Sequence, residues 1–351
     1  MSQPAIQTDI RTLDSEQLAG ILKDSWALPA YRSRQIWSWL WQKPVTSFDE
    51  MTDLPKSLRE KLTTQFVIQP IKLDKVQKSA DGTIKSRFVL HDGHYIEAVL
   101  IPVPRYQRFT VCVSSQVGCS LSCSFCATGQ MKRMRNLDPG EIFDQVVEVN
   151  KQSLETYDKP LTNIVFMGMG EPLLNYNNVL QAINRISSAD GLGMSPRRIT
   201  VSTAGIAKMM QRLADDKVRF NLALSLHAAD DVKRNEIMPI NEQNDLASLR
   251  QALQYFHRKT RNKITLEYIA FHQFNDHSED AALLAEFCRG MPVMVNIIEY
   301  NPVSGVSLTK SADDRLDRFA TALTTKGIAV TVRKSRGKDI DAACGQLANK
   351  D

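Results

Sequence analysis

The stretch TVCVSSQVGCSLSCSFCATG, residues 110–129, begins as a strand and runs into a loop with three cysteines. Thr110–Ser115 is a strand candidate. Cys119, Cys123 and Cys126 follow in a CxxxCxxC spacing. A structural zinc site normally takes four ligands in CxxC-type pairs, and no fourth Cys or His follows at finger spacing. A redox dithiol needs only two cysteines. Three thiolates on one loop can hold three irons of a [4Fe–4S] cluster and leave the fourth iron an open coordination position.

Downstream of this loop the pattern alternates. Strand candidates at 163–167, 198–203, 220–226, 264–270 and 293–299 are followed by helical stretches at 139–152, 176–187, 206–215, 246–260, 278–288 and 312–326, and a last strand at 328–333 closes the series. Asp138, Pro139 and Glu141 form a strong helix-start signal. Strand–helix repetition of this count predicts an α/β fold with a parallel sheet curled into an open, partial (β/α)6-type barrel, its active site at the C-terminal ends of the strands. Cys288, in a helical stretch beside Phe287, reads as core.

Upstream, residues 1–70 read as a small helical accessory domain. Asp14 caps a first helix with Gln17 three residues on, Pro29 starts a second and Pro55 a third. Trp37, Trp39 and Trp41 could stack on bases, but core is the expected place for them. In residues 71–108 the period changes to two, with Ile84, Phe88 and Leu90, then Ile96, Ala98 and Leu100, alternating with polar residues. Asp81-Gly82 and Asp92-Gly93 supply turns, which reads as an antiparallel β extension ahead of the barrel at 109–351.

The 351 residues are 43% hydrophobic, enough for a sizeable core, yet the longest apolar runs, such as 164–169, are far too short to cross a bilayer. The polar N-terminus resembles neither a secretory nor a transit peptide, so a cytoplasmic protein is expected. Six cysteines, four of them within fifteen residues, favour metal or redox chemistry over structural disulfides. The net charge of +5 permits a polyanionic partner without requiring one. Basic clusters at 132–135, 197–198, 258–263 and 333–338 could neutralise phosphates or could be ordinary solvated faces.

The CxxxCxxC loop after the first barrel strand, with Phe125 between the last two cysteines, resembles the radical S-adenosylmethionine (SAM) superfamily. The resemblance implies that SAM chelates the open iron and is cleaved to a 5′-deoxyadenosyl radical. Further motifs, FDEMTDLPKSLR, FMGMGEPLLN, SPRRITVSTAG, SLHA, YNP and RKSRGKDIDAACGQL, make nearly the whole chain similar to the RlmN/Cfr family of RNA methyltransferases. By that resemblance Gly170 and Glu171, Ser202, Ser225, Leu226, His227 and Asn301 contact SAM, although any one polar strand-end residue could equally be a loop cap. Cys344 is the residue that carries a methyl group, and Cys112 resolves the RNA adduct by forming a disulfide with it. Glu97 is the family's proton acceptor, in a strand position where a solvent-facing carboxylate is also natural. Two SAM molecules are used per turnover, and a flavodoxin- or ferredoxin-type donor supplies the electron.

Glu-Pro-Leu-Leu-Asn from Glu171 resembles the branch that methylates adenine C2. C8 methylases tend to have Ala where Pro172 stands, and C8 chemistry is the alternative; a radical SAM enzyme acting on protein is a further one. The implied substrates are a 23S rRNA adenine near the peptidyl-transferase centre and the tRNA adenine beside the anticodon, gripped by the helical domain of residues 1–70 and the basic clusters, with a monomer as the expected state. Some relatives carry a longer basic tail after the residue matching Cys344, which puts part of the RNA affinity in doubt.

Overall fold

The computed structural model describes residues 7–350; the first six residues of the stretch read as lacking a leader lie outside them. Three helices open the chain, α1 (Ser15–Gly20), α2 (Tyr31–Trp41) and α3 (Lys56–Gln65). Asp14 and Gln17 form the expected capping box on α1, and α3 starts straight after Pro55. Pro29 sits two residues ahead of α2, its carbonyl accepting from Arg32 N–H at 3.0 Å. Leu18, Leu22, Ile36, Leu40, Leu58 and Leu62 point inward. Of the three tryptophans only Trp41 is fully buried, edge-on against Phe143 with ring centroids 5.0 Å apart. Trp37 and Trp39 are half-buried, and Trp39 donates to Asp53.

The main sheet has ten strands, each hydrogen-bonded to the next in sequence. β1 (Lys72–Lys78), β2 (Ile84–Val89) and β3 (Tyr95–Val103) form the expected meander, with turns at Gly82 and Gly93. β3 pairs antiparallel with β4 (Arg108–Cys112), Val99 opposite Cys112, so the extension continues the barrel sheet. The core-facing Ile84, Ala98 and Leu100 join the same buried cluster as the barrel residues.

From β4 the strands run parallel: β5 (Asn163–Phe166), β6 (Ile199–Thr203), β7 (Asn221–Ser225), β8 (Ile264–Ala270), β9 (Val293–Glu299) and β10 (Ala329–Arg333). β1 and β10 stay unpaired with each other, so the sheet is open, as a partial barrel requires. The connecting helices are α4 (Pro139–Tyr157), α5 (Tyr176–Ser187), α6 (Ala207–Asp215), α7 (Asp231–Ile237), α8 (Leu246–Thr260), α9 (Ser278–Cys288) and α10 (Asp313–Thr324). Asp138 and Glu141 cap α4 reciprocally, and Cys288 is buried in core. The short α7 is invisible in the apolar pattern because only Arg234 and Ile237 of its residues are buried. No helix among the described residues is long and apolar enough to cross a membrane.

The N-terminal helices are bound to the barrel by a buried ion pair as well as by packing. Arg11 Nη1 donates to both carboxylate oxygens of Asp144 on α4, at 2.8 and 2.9 Å, and Asp144 also accepts from Ile71 N–H at 3.2 Å. Such a pair adds little net energy when intact, but removing one partner leaves a buried charge unopposed.

Candidate active site

The cysteine loop leaves the C-terminal end of β4 and is closed at its base by a two-stranded pair, Gln116–Val117 against Arg135–Asn136. Arg135 binds Glu141 through two bonds of 2.8 Å, which fixes the base of the loop to the start of α4. Cys119, Cys123 and Cys126 line one wall of an open cleft of roughly 850 Å3. Leu121, Phe125, Ile269, Phe271, Ile298 and Tyr300 pack around them as an apolar shell. Such a shell limits water access and favours a low-dielectric redox site. Burial pushes the Cys119 thiol up to about 11 and raises Cys123 and Cys126 as well. Among the described residues no three His, Cys, Asp or Glu side chains converge tightly enough to hold one metal ion. A cluster asks for something else, one thiolate per iron around a shared apolar wall, and the three cysteines fit that.

Across the cavity lie residues from the ends of β5 to β8. Gly170 has φ +91°, a conformation glycine adopts at little cost. A Cβ there would stand 2.4 Å from the Gln116 side chain. Its bend lets Glu171 N–H donate to Gln116 Oε1 at 2.8 Å. The Glu171 carboxylate is buried, Oε1 accepting from Leu173 N–H (3.0 Å) and Oε2 from Ala204 N–H (2.8 Å). Burial raises its pKa and these N–H groups oppose the rise. Ser202 and Ser225 face each other at 3.3 Å between hydroxyls. His227 is buried; burial and then Arg234 push it down to about 3, and its Nδ1 accepts from Ile269 N–H at 3.0 Å. It is therefore a neutral imidazole with its proton on Nε2.

Gly170, Glu171, Ser202, Ser225 and His227 all line the cavity, while Leu226 and Asn301 do not. Leu226 is core, with its N–H committed to Glu267 O at 3.0 Å. Asn301 donates to Ser335 Oγ at 2.9 Å and bonds the chain after β9 to the chain after β10.

A second cavity of roughly 750 Å3 adjoins the first, the two sharing Cys126, Thr128, Met167 and Cys344. Its other residues include Cys112 at the end of β4 and the basic run of Arg333, which ends β10, with Lys334 and Arg336 after it. The fold thus brings Cys112 and Cys344, from opposite ends of the barrel segment, to one cavity. Backbone bonds fix the arrangement: Ala127 N–H donates to Gly345 O at 2.7 Å, and Thr128 Oγ1 donates to Leu347 O at 2.6 Å. Burial pushes the Cys112 thiol up to about 12, the nearby Cys344 adds to the rise, and Arg333 opposes it. Cys344 is open to the cavity but crowded by protein, which raises its pKa too, again against Arg333.

Glu97 faces neither cavity. It is 1% exposed, so the solvent-facing alternative is wrong; the strand is covered here by the C-terminal segment. Lys85 Nζ lies 3.3 Å from its Oε1, while its Oε2 accepts from Ala348 N–H (3.0 Å) and Asn349 N–H (3.2 Å).

Two residues with no motif of their own complete the site. Glu267, 3% exposed, lines the first cavity; its Oε1 accepts from Asn296 at 2.7 Å and its Oε2 lies 3.6 Å from Arg333. Arg234, fully buried, donates to Leu226 O, Ala204 O and Asn241 Oδ1 at 3.0, 2.6 and 2.6 Å and ties strand ends together beneath Cys123. Arg234 sits within α7 and Glu267 in the middle of β8, so no local signal marked either. Of the basic clusters, 333–338 reaches a cavity, whereas 258–263 ends α8 and leads to the opposite, N-terminal end of β8.

Comparison with known proteins matches this geometry. Residues 113–285 fit the radical SAM superfamily model, and residues 8–68 fit that of the ribosomal RNA large subunit methyltransferase N-terminal domain. A probable dual-specificity RNA methyltransferase RlmN from Flavobacterium psychrophilum is 51% identical, covering 98% of both chains. The dual-specificity RNA methyltransferase RlmN 2 of Myxococcus xanthus is 42% identical over 99% of this chain and 92% of its own. A crystal structure of a radical SAM methyltransferase from Sphaerobacter thermophilus superposes with a TM-score of 0.91 at 39% identity, covering 98% of this chain and 100% of that one. The chain belongs to the RlmN family of radical SAM methyltransferases, which work with a [4Fe–4S] cluster and SAM.

Proposed function

We propose that this RNA methyltransferase acts on carbon 2 of adenine, in 23S rRNA and in tRNA, through a methyl group first stored on Cys344. The observation that carries the reading is the meeting of Cys112, Cys344 and Cys126 around two joined cavities. Adenine C2 is electron-poor and cannot displace the methyl of SAM directly. A thiolate can, and Cys344 is the exposed thiol beside the cluster wall. Its sulfur forms the new S–CH3 bond as the sulfonium–methyl bond breaks. When bound, the cluster and a second SAM supply a hydrogen-abstracting radical. Glu171, Ser202, Ser225 and neutral His227 orient the cofactor, and the apolar shell keeps water away. The Cys344 S-methyl group would give up one hydrogen and its carbon would bond to adenine C2. The Cys112 thiolate then attacks the Cys344 sulfur: an S–S bond forms as the S–C bond to the base breaks, the C2 proton ends on the new methyl carbon, the one remaining unpaired electron would return to the cluster, and a thiol reductant restores both thiols.

Arg333, Lys334 and Arg336 suit the backbone of an RNA whose target adenine is splayed out. The electron comes from a flavodoxin- or ferredoxin-type donor in the cytoplasm, and the chain works as a monomer. Glu97, expected as proton acceptor, is better supported as a positioning residue that anchors the Cys344 segment, because both its oxygens are already engaged. Reconstituted protein with unmodified RNA should yield 2-methyladenosine by nucleoside mass spectrometry. Cys344→Ala should yield none, and Cys112→Ala should leave protein joined to RNA. Product from Cys344→Ala would refute the stored-methyl step, and 8-methyladenosine would move the reaction to C8.

A further inference from the structure

Away from both reaction cavities, where α1 and α2 meet α5, a buried cation has no counter-ion. Arg185 is 6% exposed, with its guanidinium 4.3 Å from the Trp37 ring and 5.2 Å from that of Trp41. Its Nε and Nη2 have no hydrogen-bond partner, and neither has the neighbouring Trp41 Nε1. Burial lowers the Arg185 pKa, with only Asp14 working against it. The Asp14 side chain is engaged in capping α1.

A cleft of roughly 930 Å3 opens beside Arg185, lined also by Arg34, Ser15 and Ser188, and by Ser33 and Ser38, whose hydroxyls donate to Ala30 O and Gln42 Oε1. Asp190 is its one carboxylate, and it is exposed. Stacking on two indoles offsets part of the cost of burying a guanidinium but leaves its N–H donors free. Gln181 Oε1, also unpaired one turn earlier on α5, could satisfy one donor but brings no charge.

We propose that this pocket binds a phosphate group and that the RNA backbone supplies it; the second half rests on the RNA methylation reading. A guanidinium fork beside hydroxyls matches phosphate oxygens in both charge and geometry. At 1.5 Å per residue, Arg185 lies about 14 Å along α5 from Tyr176, near the mouth of the first cavity. A phosphate held there fixes the register of the RNA without reading a base. Gln42 Nε2, bonded to Ala189 O at 2.9 Å, holds the helical region against α5 beside the pocket.

The test uses the full-length protein. Trp37 and Trp41 report directly: inorganic phosphate added at fixed ionic strength should change tryptophan fluorescence saturably. Arg185→Met, which keeps the stacking length and drops the charge, should abolish that response. The same variant should bind an RNA stem–loop with an unpaired adenine about tenfold more weakly at low salt. Its slope of log K against log salt should fall by about one, as expected on losing one phosphate contact. Ser38→Asp, which leaves the Arg185 stack in place, should reproduce both losses and serves if Arg185→Met does not fold. No saturable phosphate response in the wild-type chain overturns the site. A phosphate response with an unchanged RNA salt slope in the variants overturns RNA as its source. Neither readout needs cluster or turnover, so failure of the methylation reading is seen separately, in the nucleoside assay.

Discussion

Glu97→Gln removes one charge from a carboxylate that holds the Cys344 segment in place. Glu97 and Lys85 are 1% and 4% exposed, so water cannot replace the lost partner. Breaking a buried pair by removing one charge costs about 3–5 kcal/mol. Lys85 Nζ keeps a long contact to Asp341 O at 3.4 Å, which favours the lower end, about 3 kcal/mol. The two N–H bonds from Ala348 and Asn349 fall from charge-assisted to neutral, about 1 kcal/mol each. The expected total is about 5 kcal/mol, concentrated where residues 341–350 cover β3. Hydrogen exchange should show those amides opening at least a hundredfold more often, with a smaller change in β6 to β8. The double variant Lys85→Met/Glu97→Gln should recover most of the thermal stability, because no charge is then buried unopposed and the amide oxygen still accepts from Ala348 and Asn349. Unchanged exchange at 341–350 in Glu97→Gln, or a double variant no better than the single, would refute the anchoring argument.

Other consequences are sharp enough to check. Gly170→Ala forces a positive φ on a residue with a Cβ and drives that Cβ into Gln116, at a cost of about 2–4 kcal/mol. SAM affinity by equilibrium dialysis should fall with it, because Glu171 loses its place on Gln116. His227, depressed to about 3 from an ordinary 6.5, binds fewer protons folded than unfolded. Its contribution to stability is thus full above pH 6.5 and is lost as pH falls toward 3. Denaturant unfolding of His227→Gln should show a flatter stability profile across that window. Replacing Cys119, Cys123 or Cys126 by Ala should remove the iron–sulfur absorbance of anaerobically reconstituted protein while far-ultraviolet circular dichroism stays the same. Glu267→Gln removes a charge that raises the Cys344 thiol and leaves Arg333 without its carboxylate partner, so the pH profile of Cys344 methylation should shift downward.

Local chemistry alone determined much of this protein. The CxxxCxxC loop, the alternation of buried strands with amphipathic helices, and the caps at Asp14 and Asp138 are short-range signals; the loop put three cysteines forward as cluster ligands, and the others placed the open parallel sheet and most helix starts. Boundaries slipped by one to three residues at β4, β6 and β7, where strand and loop share the same apolar residues. Burial of Glu97 was not legible, because a carboxylate in mid-strand looks the same whether water or a distant segment covers it. The tail from Asp341 to Lys350 does the covering. Glu267, Arg234 and Arg185 belong to no motif, and their settings come from contacts far away in sequence. Cys112 and Cys344 were assigned by resemblance, but their shared cavity depends on Ala127 and Thr128 bonding to Gly345 and Leu347. Sequence spacing governs groups that one loop or one helix turn brings together; groups joined by the packing of distant segments come together only when the sheet is laid down.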